Sequence, residues 1–126
     1  MTRDELKMFK SLKEKLEHEV IELFDYIKTK YLDVLEFGRY SSYHHYAMNN
    51  EIIWIEYFDY GYDCYDSRDI DIPINEFLSN PFEWADNWAN NIRIEKQKEK
   101  DNAIKEQEKK EREQLQRLKD KYEKIV

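Results

Sequence analysis

"EIIWIEYFDYGYDCYDSRDIDIPI", residues 51–74, decides the fold, because it reads as two strands with a reversal between them. Its first part is rich in aromatic and β-branched residues, which suit a pleated, half-buried surface. Its second part alternates: Ile70, Ile72 and Ile74 fall on one side, Asp69 and Asp71 on the other. The reversal falls around Gly61. Pro73 has no N–H to give a ladder, so the last strand is expected to be an edge or to end there.

Upstream, "RYSSYHHYAM" has the same strand-like composition, and Asn49-Asn50 suits a two-residue hairpin turn with positive φ angles. The three runs predict an antiparallel meander with one isoleucine-lined face that needs a cover. The N-terminal segment supplies it. "TRDE", residues 2–5, has the form of a capping box. Leu6, Phe9, Leu12, Leu16, Val20, Leu23, Ile27, Tyr31 and Val34 then recur at three- and four-residue spacing. A helix over residues 3–36 is expected, with Gly38 as its C-cap glycine.

Downstream, "SNPFEW" opens another helix, with Asn80 as cap and Pro81 at the first helical position. Phe82, Ala85, Trp88, Ala89 and Ile92 form its apolar face. Beyond Ile94 the apolar face fades into a mostly charged sequence, and acid-to-base pairs such as Asp101–Lys105 and Glu113–Arg117 lie at four-residue spacing. Leu115, Leu118, Tyr122 and Ile125 restore a short 3-4-3 seam, a candidate surface for homodimerisation. The expected fold is α+β: a long N-terminal amphipathic helix packed on a three-stranded antiparallel meander, then a long charged C-terminal helix. Residues 1–94 would form the compact core and 95–126 the helical extension.

Composition bounds the chemistry. With 126 residues and 40% hydrophobic against 39% charged, the core must be small. The single Cys64 excludes an intrachain disulfide. No apolar run has the form of a signal peptide or membrane span, so a soluble, cytoplasmic protein is expected. The net charge of −7 is unevenly spread: about −1 over residues 1–50, −9 over 51–86 and +3 over 87–126. A block that acidic is either a solvated surface or a surface for a basic partner.

Asp59, Asp63, Asp66, Asp69 and Asp71 do not follow the alternate-ligand spacing of a calcium loop, and no metal site is expected from them. His44 and His45 are adjacent, and neighbouring strand residues point to opposite faces, so both are not expected in one site. Cys64 has no second cysteine, and no zinc-binding or hydrolase spacing accompanies it. His18 reads as a surface residue. Two glycines in the whole chain leave no phosphate-cradling loop. Neither enzymatic activity nor a cofactor is expected.

Direct nucleic-acid binding is not expected either, since the aromatic residues that might stack on bases lie in the segment that would repel phosphate. The inverse reading is more coherent. Asp59, Tyr60, Tyr62, Asp63, Tyr65, Asp66, Asp69 and Asp71 would make an acidic, aromatic contact surface for a protein with a basic groove. The plain alternative is a solvated hairpin whose charges protect an edge strand. Two other functions stay open: an adaptor working through the C-terminal seam, and a sponge for a small nucleotide signal with Arg39 or Arg68 beside the tyrosines.

"IIWIEYFDYGYDCYDSRDIDIPINEFLSNPFEWADNW", followed by a Lys/Glu-rich helix, resembles the small acidic accessory proteins common in bacteriophage genomes. The resemblance covers roughly residues 51–126. It implies a protein acting inside an infected bacterium against a host defence, of the anti-CRISPR or anti-defence type, by occupying a nucleic-acid groove. It implies no catalytic residue.

Overall fold

A computed structural model describes residues 1–61 and 66–124. The chain divides into two compact units, residues 1–89 and 90–126. The first unit is α+β. Helix α1 (Arg3–Lys30) is followed by a 3-10 turn at Gly38–Tyr40, then strands β1 (Ser41–Met48), β2 (Ile52–Asp59) and β3 (Ser67–Pro73). A short helix α2 (Ile74–Ser79) leads into α3 (Pro81–Glu123), which continues through the second unit. The strands form one antiparallel sheet in the order β1-β2-β3.

The start of α1 is capped as expected. The Thr2 hydroxyl accepts from the Glu5 N–H at 3.1 Å, and the Glu5 carboxylate accepts from the Thr2 N–H. Its end comes six residues sooner than the apolar spacing predicts. Tyr31 leaves helical geometry, and Val34 and Gly38 donate to carbonyls three residues back. Tyr31, Val34 and Leu35 are nonetheless buried. A tight turn repeats every three residues, so it buries the same spacing that an α-helix would. Gly38, with φ +54°, begins the 3-10 turn instead of capping α1.

Only the second half of α1 covers the sheet. Val20, Leu23, Phe24 and Ile27 are buried, and Leu6, Phe9 and Leu12 stay exposed. Length is the reason. A helix of 28 residues runs about 42 Å at 1.5 Å per residue, whereas an eight-residue strand reaches about 27 Å. Opposite the buried part of α1 lie Ile53, Ile55 and Tyr57 of β2 and Ile70 and Ile72 of β3, all buried. Phe77 of α2 and the small Ala85 and Ala89 of α3 complete the core.

The β1–β2 reversal centres one residue later than expected. The Asn49 N–H donates to the Ile52 carbonyl, and Asn49 Oδ1 accepts from the N–H groups of both Glu51 and Ile52 at 2.8 Å. Among the described residues no non-glycine φ is positive, so this side-chain acceptor replaces the left-handed turn. β3 ends at Pro73 as its missing N–H requires. Ile74 donates to the Glu51 carbonyl at 3.0 Å and starts α2, a helix the period-2 reading of Ile70, Ile72 and Ile74 conceals.

At the start of α3, Asn80 Oδ1 accepts from the Glu83 N–H, and Pro81 takes the first helical position. In the second unit the helix is exposed along the described length, apart from half-buried Ile92. None of the anticipated acid-to-base pairs closes to 4.0 Å among the described residues. The contacts at that spacing are glutamine-to-acid, Gln97–Asp101, Gln107–Glu111 and Gln116–Asp120. Holding two long charged side chains together in full solvent costs the entropy that the weak attraction returns. No helix among the described residues is long and apolar enough to cross a membrane.

Candidate functional site

Alternation along β2 divides the sheet into two chemically opposed faces. Ile53, Ile55 and Tyr57 face the core; Trp54, Glu56 and Phe58 take the opposite side. Across β2–β3, Trp54 pairs with Asp71, Glu56 with Asp69 and Phe58 with Ser67. Across β1–β2, Trp54 pairs with Ala47 and Glu56 with His45. Every one of these outer-face residues is partly or wholly exposed. Two aromatic rings, three carboxylates and an imidazole therefore lie side by side on a hydrogen-bonded, rigid support.

A β-bulge adds a second imidazole. Tyr43 pairs with Tyr57 and His45 with Glu56, so His44 is an extra residue without a partner of its own. The two-against-one pairing brings both histidines together, which overturns the expectation that adjacent strand residues cannot share a site. The rings are 4.7 Å apart at 72°, and His44 also meets Phe58 edge-on at 5.7 Å. His45 Nε2 lies 3.3 Å from Glu56 Oε2.

The acidic residues singled out in the sequence fall into two groups. Asp69 and Asp71 lie on the outer sheet face. Asp59, Tyr60 and Asp66 lie at the end where the chain passes from β2 to β3, and there Asp59 donates its N–H to the Asp66 carbonyl. That end is not purely acidic. Asp66 Oδ1 accepts from Arg68 Nη1 at 2.7 Å, and this bond raises the guanidinium's pKa further. Tyr60 packs edge-on against Tyr40 at 5.7 Å, with the Lys28 ammonium over its ring and its hydroxyl donating to the Arg39 carbonyl. Gly61 is required there, since a Cβ would stand 2.7 Å from the Tyr40 ring. Tyr62, Asp63 and Tyr65, together with Cys64, lie outside the described residues, as does Ile125. Leu115, Leu118 and Tyr122 are exposed on α3.

Several tyrosines belong to the scaffold. Tyr57 is buried between Phe24 and Phe37, and its hydroxyl accepts from the Glu36 N–H. Burial pushes its phenol up, against the pull of that backbone donor. A polar cluster absent from the sequence reading ties α1 to the first turns of α3. Tyr31 and Tyr26 both donate to Asp86 Oδ1, Tyr26 at 2.7 Å, and Lys30 Nζ lies 3.4 Å from the same oxygen. The Tyr31 and Tyr26 hydroxyls hold the Asp86 carboxyl below its ordinary range, and the Tyr31 phenol rises in turn. Only the four-residue spacing of Tyr26 and Lys30 hinted at part of it. A groove of about 560 Å³ lies between α1 and the α2–α3 corner, lined by Leu12, Leu16, Phe77, Leu78, Pro81 and Phe82 among others.

The polar groups of the outer face stand on one open, partly exposed side of the sheet. No protein-family model matches the chain, and comparison with curated proteins and with solved structures found no match.

Proposed function

We propose that this chain is a non-enzymatic binding protein that engages a basic protein surface through the outer face of its sheet. The observation that carries the reading is the placement of Trp54 and Phe58, half-buried, among Glu56, Asp69 and Asp71 on one solvated face. Aromatic rings on a rigid sheet bury area at little conformational cost, and flanking carboxylates steer a basic partner toward them. The phage-type resemblance specifies the partner class as a host nucleic-acid-handling defence protein, whose basic groove this face would occupy. Asp59, Tyr60 and Asp66 would extend the contact at the end of the sheet.

A pull-down from bacterial lysate with the wild type and with W54A/D69N/D71N tests it. Expected is a nucleic-acid-handling protein retained by the wild type, released by salt and absent from the variant. Equal retention by both would remove the outer face from the interface.

A second reading is favoured by exposed apolar residues on the helices: Leu6, Phe9 and Leu12 on α1, and Leu115, Leu118 and Tyr122 on α3. These would serve a homodimer or adaptor. Sedimentation equilibrium separates the readings, since a monomer at high micromolar concentration contradicts the dimer and leaves the sheet face intact as a proposal.

A further inference from the structure

We propose that His44, His45 and Glu56 form a binding site for a divalent transition metal of the zinc class. One ring nitrogen from each histidine and one Glu56 oxygen all lie within 4.8 Å of one another. Around an ion with bonds of about 2.0–2.1 Å, tetrahedral ligands stand roughly 3.3–3.4 Å apart. The His45 Nε2–Glu56 Oε2 separation of 3.3 Å already has that value. Small side-chain rotations of His44 bring the third donor in, and those rotations are open because both histidines are exposed.

The backbone makes the arrangement. Without the bulge at His44, strand alternation would send one imidazole to the core face. The His44 ring also meets Phe58 edge-on, which keeps the imidazole on the outer face beside Glu56. Two nitrogens and one carboxylate oxygen select zinc, cobalt, nickel or copper over calcium and magnesium, which prefer all-oxygen shells. Asp69, the cross-strand neighbour of Glu56, adds negative charge beside the site without entering the donor set. Three protein ligands leave at least one coordination position facing solvent. The site shares Glu56 with the proposed contact face, but that contact needs no metal, so either can fail alone.

The test is calorimetric titration of the full chain with ZnCl2, repeated optically with CoCl2 and with CaCl2 as control. One saturable zinc site per chain is expected, with a cobalt d–d absorption spectrum and no calcium response. H44A, H45A and E56Q should each weaken zinc binding by at least about tenfold, given that even outer-shell partners are worth 10–100-fold. H18A and C64S should bind as the wild type does. Circular dichroism of each variant, with H44Q and H45Q as milder replacements, shows that folding is retained. Absence of saturable zinc binding, wild-type affinity in H44A or H45A, or loss of binding in C64S would overturn the assignment.

Discussion

The two faces of β2 are made from consecutive residues of one strand, yet they obey different rules. Ile53, Ile55 and Tyr57 are buried against α1 and β3, where each atom removed leaves a void. Trp54, Glu56 and Phe58, one residue out of phase, stay partly exposed and meet Ala47, His45, Asp69, Asp71 and Ser67. The inner face explains why the unit folds. The outer face gathers Trp54 and Phe58 with Glu56, Asp69 and Asp71, and the proposed contact rests on that grouping.

The contrast breaks most visibly at the core. Ile55, with no exposed surface, is expected to cost about 2–5 kcal/mol when replaced by alanine, through lost burial and an unfilled cavity. Chemical denaturation would measure it. On the outer face, W54A removes a half-buried ring with cross-strand neighbours, and a loss of about 1 kcal/mol or less is expected. If W54A destabilised as much as I55A, Trp54 would be core and not contact surface.

Acid sharpens the comparison in a different place. The Tyr31 and Tyr26 hydroxyls lower the Asp86 pKa from its ordinary 3.8. A carboxylate with a depressed folded-state pKa contributes stability that is fully present above its unfolded value and lost as pH falls through the folded one. Thermal melts between pH 5 and 2 should show that loss, and D86A should lower the melting temperature at neutral pH by a few degrees while flattening the acid limb. No difference in the acid limb would mean that the tyrosine–aspartate cluster does not couple α1 to α3 in solution.

The smallest effect is expected for D69N/D71N. These carboxylates have no basic partner across the strand and share the face with Glu56, so relief of repulsion should leave stability within about 0.5 kcal/mol or slightly raised. Asp66 does not belong in that neutral set, because its replacement would deprive Arg68 of a 2.7 Å partner. A small loss for D66N beside no loss for D69N/D71N would confirm that the two acidic groups differ.

Much of this architecture was legible in the residues. The capping box at residues 2–5, the apolar stripe, the isoleucine alternation of β3 and the Asn80-Pro81 start of α3 each carry a local physical signal. Two misreadings share one cause: a spacing that two structures satisfy equally. Tyr31 and Val34 fit a helix or a tight turn, and Ile74 fits a strand or the start of α2. The bulge at His44 has no signature in composition, since it is set by pairing with β2. Of the proposed contact surface, the alternation of Asp69 and Asp71 was plain in the residues. Trp54, Glu56 and Phe58 escaped notice because β2 is apolar or aromatic on both sides, and only the pairing register shows which side is open.

The association rate of D69N/D71N with the partner recovered in the pull-down tests the outer face most directly. Carboxylates that steer a basic partner act over a Debye length of roughly 8–10 Å near physiological salt, so their effect should fade as salt rises. Slower association than the wild type at low salt, converging with it at high salt, is expected, with dissociation little changed. Wild-type association rates at every salt concentration would contradict it and leave the acidic face a solvated surface.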